Sequence, residues 1–278
     1  MSLRIAAHSK LNLWLRVIGD RADGYHALDS LVQTIDLSDE LIFTLASNGI
    51  RVDCDPPILD ENIVRAAAEL ALAATGCSEG LHITLRKRVP IGSGMGGGSS
   101  DAAATILGVS KLLGERLPHE DMAQIAAQLG SDVPLFLKGG RIRMQGRGEL
   151  LQSEPFRSES YVVLAPPIRS DTAAVYAAFD RLPNAARELA SAPELGANDL
   201  AHAAQSIYPD LVKYERTIGR CGGVYAGMTG SGSAFFAAFE DEVTAARAAE
   251  RLKRRHPESR VYTCRSTAQG FEELGRSA

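Results

Sequence analysis

Nine consecutive residues of this chain, 92–100, contain five glycines and three serines and have the composition of an anion-binding loop. Residues 82–88, just upstream, alternate apolar and polar side chains as a half-exposed strand does. Residues 101–113, just downstream, are rich in alanine and leucine and are typical of a helix. Glycine lets backbone N–H groups approach a ligand, and the start of a helix adds free N–H donors and the positive end of its dipole. The order strand, glycine loop, helix therefore predicts a phosphate site.

Three other interpretations of this loop must be weighed: a Walker A loop, a dinucleotide-binding loop and a flexible linker without a ligand. A Walker A loop needs a lysine before its Ser or Thr, and residues 90–110 contain none. Gly92, Gly94 and Gly97 match the dinucleotide pattern Gly-x-Gly-x-x-Gly, but that fold needs a continuously apolar strand before the loop, whereas residues 86–88 are Arg, Lys and Arg. A flexible linker does not usually run into the Ser-Ser-Asp start of a helix. The sequence favours a phosphate-binding loop outside the Walker class.

Composition limits what else the chain can be. Its 278 residues suffice for two domains or one large one, and 45% hydrophobic with 23% charged residues is ordinary for a globular protein with a sizeable core. A net charge of -4 gives no reason to expect a nucleic-acid partner. No apolar run approaches the ~18–20 residues of a membrane span, no signal-peptide core is present, and no His, Cys and carboxylate cluster has metal-ligand spacing. The four cysteines lack Cys-x-x-Cys spacing, so we expect reduced thiols in a cytoplasmic protein.

The first half of the chain opens with strands. Residues 5–17 alternate, which places His8, Lys10 and Asn12 on one face of a strand, either as a solvated row or as part of a site. Further strands are predicted at 31–36, 41–45, 82–88 and 141–144, and helices at 62–75, 101–113 and 118–129. Several strands before the first helix indicate an α+β fold. Asp132 follows a helix end and precedes an apolar run, where an acid is either a turn-former or a placed catalytic group.

The second half has its own pattern of elements. Strands are predicted at 161–165, 224–228, 234–239 and 260–265, and helices at 172–180, 198–220 and 241–256, with a loop or frayed helix at 183–193. The order β-α-α-β-β-α-β suits a ferredoxin-like split βαβ domain. We therefore expect domains at 1–155 and 156–278. A second glycine-rich segment at 229–233 is either a simple hairpin turn or a second phosphate loop facing the first.

Together these segments resemble the GHMP family of small-molecule kinases, named for galactokinase, homoserine kinase, mevalonate kinase and phosphomevalonate kinase. The three family motifs occur in order at residues 8–15, 90–104 and 227–233. The resemblance implies an α+β, two-domain GHMP kinase fold. Its N-terminal domain is of the ribosomal protein S5 domain 2 type, and its C-terminal domain is ferredoxin-like. It also implies ATP-dependent phosphoryl transfer to an alcohol.

Three details are similar to one branch of that family. They are Lys10-Leu-Asn-Leu followed by Arg-Ala-Asp-Gly-Tyr-His at 21–26, the Gly-Met-Gly-Gly-Gly-Ser-Ser-Asp-Ala-Ala loop, and Leu-Gly-Ser-Asp-Val-Pro at 129–134. That branch phosphorylates the 2-hydroxyl of a methylerythritol linked to cytidine diphosphate, in isoprenoid precursor biosynthesis by the non-mevalonate pathway. His8-Ser9 stands where the branch usually has Pro-Ala. A homoserine- or mevalonate-type kinase, or a non-catalytic nucleotide-binding protein on the same fold, remains the alternative. We expect small-molecule partners, no nucleic acid, no membrane, and a monomer or weak homodimer.

The resemblance also implies roles for individual residues. Asp132 is expected to be the general base that accepts the proton of the substrate hydroxyl, and Lys10 is expected to pair with it and offset charge on the transferring phosphoryl group. Lys87 is expected to reach the ATP phosphates, and Asn62 to line the adenine pocket. The loop residues expected to wrap the phosphates are Pro90, Ile91, Gly92, Ser93, Gly94, Met95, Gly96, Gly97, Gly98, Ser99 and Ser100.

On the substrate side the resemblance points to an aromatic pocket. Tyr25 and His26 are expected to hold the cytosine with Asn12 nearby, and Tyr176 to stack on the base. Phe179 is the alternative stacking residue, and Tyr176 is otherwise an ordinary core residue. The second glycine segment is expected to complete this side through Thr229, Gly230, Ser231 and Gly232. Mg²⁺ is expected with ATP, held mainly by phosphates and water, because no Asp or Glu is obvious as its ligand.

Overall fold

The computed structural model describes residues 2–20, 26–57, 62–182 and 194–277, and the strands within them form two sheets. The strands of the first half are β1 (Ser2–Asp20), β2 (His26–Ala46), β3 (Ile50–Asp55), β4 (Gly80–Arg86), β5 (Arg141–Gly146) and β6 (Leu150–Ser153). Those of the second half are β7 (Ser160–Ala165), β8 (Tyr225–Met228), β9 (Phe235–Phe239), β10 (Arg260–Arg265) and β11 (Phe271–Ser277).

Helices cover these sheets. In the first half they are α1 (Ile63–Thr75), α2 (Gly97–Leu112), α3 (His119–Leu129) and α4 (Val133–Lys138). In the second half they are α5 (Thr172–Phe179), α6 (Leu200–Ile207), α7 (Leu211–Ile218) and α8 (Glu242–Arg255). None of the helices described is long and apolar enough to cross a membrane.

The order of the strands confirms the α+β class. In the described part of the chain the first sheet runs β11-β1-β2-β4-β3, with β5 and β6 attached through β2. The second sheet runs β10-β7-β9-β8. Counted within the second half, this is the order fourth, first, third, second, with the two helical crossovers expected of a ferredoxin-like split βαβ unit. The last strand, β11, leaves that half and pairs antiparallel with β1.

Strand β1 connects the two halves of the molecule. Its first residues, 2–7, pair with β11, and nearly its whole length pairs with β2. Beyond Leu11 its free edge meets the second half instead: Gly196 N–H donates to Leu13 O at 2.6 Å, and Leu15 N–H donates to Ala197 O at 3.0 Å. The side chains of Lys10 and Asn12, at the change of partner, therefore lie where both halves meet.

Three apolar clusters hold the elements in place. One packs the first sheet against α1–α4, and α2 comes so close to the sheet that a Cβ at Gly108 would lie 2.6 Å from Phe43. A second packs α5–α8 on the second sheet. The third joins the two sheets through Leu11 and Leu13 on one side and Tyr161 and Phe236 on the other. This third cluster is buried, so it holds one sheet firmly against the other.

Several predicted elements are confirmed, together with the residues that were expected to begin or end them. Helix α1 begins where expected, because the Asn62 side chain accepts the Val64 N–H at 3.0 Å, and it ends at Gly76 in the left-handed conformation. The row of His8, Lys10 and Asn12 is confirmed as part of one strand. All three side chains are buried, so the solvated alternative is wrong.

Other boundaries were predicted wrongly. The two strands expected at 31–36 and 41–45 are one 21-residue strand, β2. The helix expected at 198–220 is two helices, because Pro209 cannot continue a helix and separates α6 from α7. Helix α2 begins at Gly97, not Asp101, and its N-cap is Gly96 in the left-handed conformation, without a side-chain cap. The Ser-Ser-Asp segment is thus inside the helix.

A few elements were not predicted at all, namely β3, β6, β11 and the short α4. The segment 183–193 lies outside the described residues. The division into domains at residue 155 stays a prediction, and the pairing of β11 with β1 means that the first sheet takes a strand from each end of the chain.

Candidate active site

A cavity of about 1020 Å³ lies between the two halves. It brings together most of the residues that the sequence pointed to, although they are far apart in the chain. Those that line it are Lys10, Asn12, His26, Asn62, Lys87, residues 90–99, Asp132, Tyr176, Gly230 and Ser231.

The glycine loop takes a conformation that only glycine adopts readily. Gly92, Gly94 and Gly96 have φ of 66°, 76° and 70°. A Cβ at Gly94 would overlap the carbonyl oxygen of Thr229, and one at Gly96 would lie 2.7 Å from the Phe136 ring. The loop is therefore pressed between the second glycine segment and α4. With no side-chain cap on α2, its first-turn N–H groups are left for an anion in the cavity.

Lys10 is the buried cation of the site. Its Nζ donates to the carbonyl oxygen of Gly94 at 2.5 Å and to Asn12 Oδ1 at 2.5 Å. Burial lowers the pKa of Lys10 to about 8, and the charge of Asp132 opposes part of that shift. The direct partners of Lys10 are thus Gly94 and Asn12, and Asp132 acts on it through its charge.

Asp132 stands at the N-cap position of α4 but does not cap it. Its backbone has φ of −89° and ψ of −11°, and its side chain makes no cap hydrogen bond. The half-buried carboxylate lines the cavity. Both Asp132 and Tyr176 line the cavity, and burial together with the charge of Asp132 raises the pKa of the Tyr176 hydroxyl. A carboxylate that the helix does not use is available for proton transfer.

Asn12 ties the two glycine segments together. Its backbone N–H donates to Thr229 Oγ1 at 3.0 Å, and its Oδ1 accepts the Gly230 N–H at 2.9 Å. Thr229 Oγ1 also lies 3.2 Å from Gly94 O, and Asn12 Nδ2 donates to Ser30 Oγ at 2.8 Å. The segment 229–233 is therefore both the β8–β9 hairpin turn and a partner of the first glycine loop.

His26 and Tyr176 form an aromatic wall. Their ring centroids are 4.9 Å apart with planes 25° from parallel, and His26 Nε2 lies 2.8 Å from Asp180 Oδ1. Phe179 meets His26 only edge-on at 6.2 Å and is buried in the core. Of the two stacking candidates, Tyr176 is the one that lines the cavity. Tyr25 lies outside the described residues.

Some predicted ligands lie behind the cavity wall. Ser100 is buried and its Oγ donates to His8 O at 2.6 Å, and neither it nor Thr229 and Gly232 is among the lining residues. Lys87 does line the cavity, but its Nζ bonds Asp39 at 2.5 Å and Asp101 at 2.6 Å. Asn62 both caps α1 and lines the cavity.

The cavity also contains charged residues that the sequence did not reveal, among them Arg147, Arg169 and Asp180. Arg169 lies across Gly92, whose carbonyl oxygen accepts the Ser170 N–H at 2.9 Å. Such residues belong to no motif of the chain. Arg169 and Asp180 reach the site because the second half packs on the glycine loop, whereas the β5–β6 turn of the first half carries Arg147 to it.

Comparisons with known proteins agree with this geometry. The family model described as GHMP kinases N terminal domain matches residues 62–140, and the model described as GHMP kinases C terminal matches residues 174–258. The 4-diphosphocytidyl-2-C-methyl-D-erythritol kinase of Thermotoga maritima is 36% identical over 255 residues, which are 86% of this chain and 92% of that protein. The chain belongs to the GHMP kinase family.

Solved structures of the family extend the comparison. A crystal structure of 4-(cytidine 5'-diphospho)-2C-methyl-D-erythritol kinase matches with a TM-score of 0.81 at 34% identity, covering 95% of this chain and 98% of that one. A homoserine kinase from Cytophaga hutchinsonii matches with a TM-score of 0.72 at 17% identity, covering 98% of this chain and 97% of that one, and shares the fold alone. The predicted family and two-sheet kinase fold are confirmed, and membership makes the chain a small-molecule kinase with ATP as co-substrate.

The sequence predicted Mg²⁺ together with ATP but no protein ligand for it. Within residues 2–20, 26–57, 62–182 and 194–277, no group of three or more His, Cys, Asp and Glu side chains is arranged to hold a metal ion. At the cavity wall, Asp101 and the buried Asp39 both bond Lys87, so the lysine occupies the position between these two carboxylates. The part of the chain that the structure describes therefore offers no metal site made of protein ligands alone.

Proposed function

We propose that this kinase transfers the γ-phosphoryl group of ATP to the 2-hydroxyl of 4-diphosphocytidyl-2-C-methyl-D-erythritol. The observation that carries the proposal is identity of about one third, over most of both chains, with proteins of that name. The aromatic wall of His26 and Tyr176, in the same cavity as the glycine loop, suits the flat cytosine of such a substrate. Homoserine and mevalonate carry no base for that wall.

In the reaction, the oxygen of the substrate's 2-hydroxyl bonds to the γ-phosphorus of ATP while Asp132 accepts the hydroxyl proton. The bond between the γ-phosphorus and the bridging oxygen of the β-phosphate breaks, which releases ADP. Lys10, protonated below a pKa of about 8, offsets the negative charge on the transferring group. Its bonds to Gly94 and Asn12 fix its position between the glycine loop and the substrate side of the cavity.

The nucleotide binds along the glycine loop in this proposal. Loop N–H groups and the first turn of α2 bind its phosphates, and Asn62 lies near its base. Lys87 is balanced by Asp39 and Asp101, so we assign it to the wall of the pocket and not to phosphate binding. Bound Mg²⁺ would be held mainly by the ATP phosphates and water, and it would neutralise phosphate charge.

The acceptor substrate binds on the side of His26 and Tyr176. We place its cytosine against the Tyr176 ring and assign Tyr25, outside the described residues, to the same pocket. Thr229 and Gly232 support Gly230 and Ser231 from behind the wall. The product belongs to isoprenoid precursor biosynthesis by the non-mevalonate pathway, in the cytoplasm, which agrees with four free cysteines.

An ADP-release assay with three alcohols tests the proposal. We expect turnover with 4-diphosphocytidyl-2-C-methyl-D-erythritol and at least about a hundredfold lower kcat/KM with mevalonate and homoserine, because binding energy from the base and diphosphate is lost. Preference for mevalonate or homoserine would assign another GHMP kinase activity. ATP binding without turnover of any of the three would identify a non-catalytic nucleotide-binding protein.

A further inference from the structure

A tight turn between β5 and β6 carries Arg147 to the cavity. Gly146 and Gly148, on either side of it, have φ of 72° and 120°, which favour glycine. The backbone N–H of Arg147 donates to the carboxylate of Glu149, and the Gly148 N–H donates to Gln145 O at 3.2 Å. The turn is therefore fixed by its own bonds, and the Arg147 side chain lines the cavity.

Both sides of this turn are attached to parts of the proposed substrate site. Gly146 pairs with Leu28 of β2, which lies on the same face of its strand as His26, and both line the cavity. On the other side, a Cβ at Gly148 would lie 3.2 Å from the carbonyl oxygen of Ser131, the residue before Asp132. Arg147 thus lies between the aromatic wall and the proposed general base.

The covalent order of the proposed substrate matches this spatial order. Its cytosine is joined to ribose, the ribose to a diphosphate, and the diphosphate to the methylerythritol that carries the reacting hydroxyl. If the base lies against His26 and Tyr176 and the hydroxyl at Asp132, the diphosphate crosses the wall between them. We propose that Arg147 binds this diphosphate and so selects acceptors that carry one. This inference rests on the proposed function.

The chemistry of the side chain suits that role. A guanidinium is always charged and presents paired N–H donors that match two phosphate oxygens, as in bidentate phosphate recognition. Two other cations of the cavity are bonded within the protein: Lys87 to two carboxylates, and Lys10 to Gly94 and Asn12. Two substrates that each carry a polyphosphate bring several negative charges into one cavity, and a guanidinium at the acceptor's diphosphate offsets part of their repulsion.

The test compares CDP with cytidine as ligands of the wild type and of Arg147→Met. Titration calorimetry is done with a non-hydrolysable ATP analogue saturating the glycine loop. The wild type should bind CDP at least about tenfold more tightly than cytidine, because charged hydrogen bonds to the diphosphate add affinity. Arg147→Met should lose most of that ratio while its cytidine affinity stays the same. Arg147→Lys should keep part of that affinity ratio, since lysine retains the positive charge but lacks the paired N–H donors of the guanidinium.

Kinetics and a matched variant complete the test. In Arg147→Met the KM for 4-diphosphocytidyl-2-C-methyl-D-erythritol should rise about tenfold or more, with the KM for ATP unchanged. Arg169→Met, which removes a cavity arginine beside Gly92, should leave the ratio of CDP to cytidine affinity as in the wild type. An unchanged ratio in Arg147→Met, or an equal loss in Arg169→Met, would overturn the inference. Failure of the proposed function is a separate result, because then the wild type would not turn the substrate over.

Discussion

At the scale of single residues, the proposed chemistry depends on one carboxylate and one buried cation. Asp132 is not needed by the helix that it precedes, and Lys10 is held by Gly94 and Asn12. The sequence alone left Asp132 open between a turn-former and a base, and its missing cap bond removes one structural reason for an acid there. Their roles are tested separately, by substitution and by pH.

Asp132→Asn is expected to lower kcat by about 10²–10⁴, because the amide cannot accept the proton. Its free energy of unfolding should fall by no more than about 1 kcal/mol, since no cap bond is lost and only the charge interaction with Lys10 is removed. ADP release and denaturant unfolding measure the two quantities. The control is Asp210→Asn, whose carboxylate forms an exposed ion pair with Lys213 and which should keep wild-type turnover. Near wild-type turnover in Asp132→Asn would remove it as the base.

Lys10 should make activity depend on pH. Because its pKa in the folded enzyme is about 8, the positive charge is lost above that pH, and kcat/KM for ATP should fall about tenfold per pH unit there. Lys10→Arg, if active, should lack this fall because a guanidinium stays charged. A wild-type profile that is flat to about pH 10 would show that the charge of Lys10 is not required.

The same lowered pKa predicts a change of stability with pH. The unfolded chain keeps the Lys10 proton up to its ordinary pKa of 10.5, whereas the folded chain releases it at about 8. Between these values the unfolded state binds more protons, so the folding stability rises with pH. Relative to Lys10→Met, the wild type should gain about 3 kcal/mol from pH 8 to 10.5. Denaturant unfolding of both proteins at the two pH values measures it, and a constant difference would contradict the lowered pKa.

At the scale of elements, the two glycine segments form one unit. Gly94→Ala is expected to destabilise the fold by about 2–4 kcal/mol, because its left-handed φ is strained for alanine and its Cβ would overlap Thr229 O. The affinity of this variant for ATP, measured by calorimetry, should also be lower than that of the wild type. The stability control is Gly98→Ala, whose Cβ would meet only Ile63 at 3.9 Å and which should be as stable as the wild type or slightly more so. Equal stability of both variants would contradict the close packing of the loops.

Local signals predicted some elements well and others poorly, for physical reasons. Helix α1 carries its own Asn62 cap and Gly76 stop, so its bounds could be predicted. Strand β2 seemed broken, because Asp36, Ser38 and Asp39 interrupt its apolar pattern. Asp39 is nevertheless buried within the strand, because its carboxylate is bonded to Lys87 and accepts the Val89 N–H. A partner 48 residues away cannot be deduced from a local pattern.

At the scale of the whole molecule, residues from both ends of the chain build the first sheet. Ending the chain after residue 269 removes β11, exposes the edge of β1 and uncovers part of the first core. We expect a loss of about 3–5 kcal/mol and a Tm lower by roughly 10 °C, with a tendency to aggregate through the free edge. Leu274→Ala, at a side chain that is exposed, should have little effect on Tm. A truncated protein with wild-type Tm would show that β11 does not hold the sheet.

The sequence alone also could not predict which distant residues come together in the site. Lys10 and Asp132 are brought into one cavity by the sheet and by α4, and their association was expected only from family resemblance. Arg147, Arg169 and Asp180 had no signal at all, because Arg147 depends on the pairing of β5 with β2 and the other two on how the second half packs on the first. The motifs predicted the phosphate loop, and the fold supplied the rest of the cavity.

The identity of the product tests the central claim most directly. The enzyme is incubated with ATP and 4-diphosphocytidyl-2-C-methyl-D-erythritol, and the product is examined by phosphorus NMR. We predict ADP and a single new phosphate monoester on the 2-hydroxyl of the methylerythritol, with the diphosphate intact. A monoester at another hydroxyl, or ADP formed without any new monoester, would contradict the account.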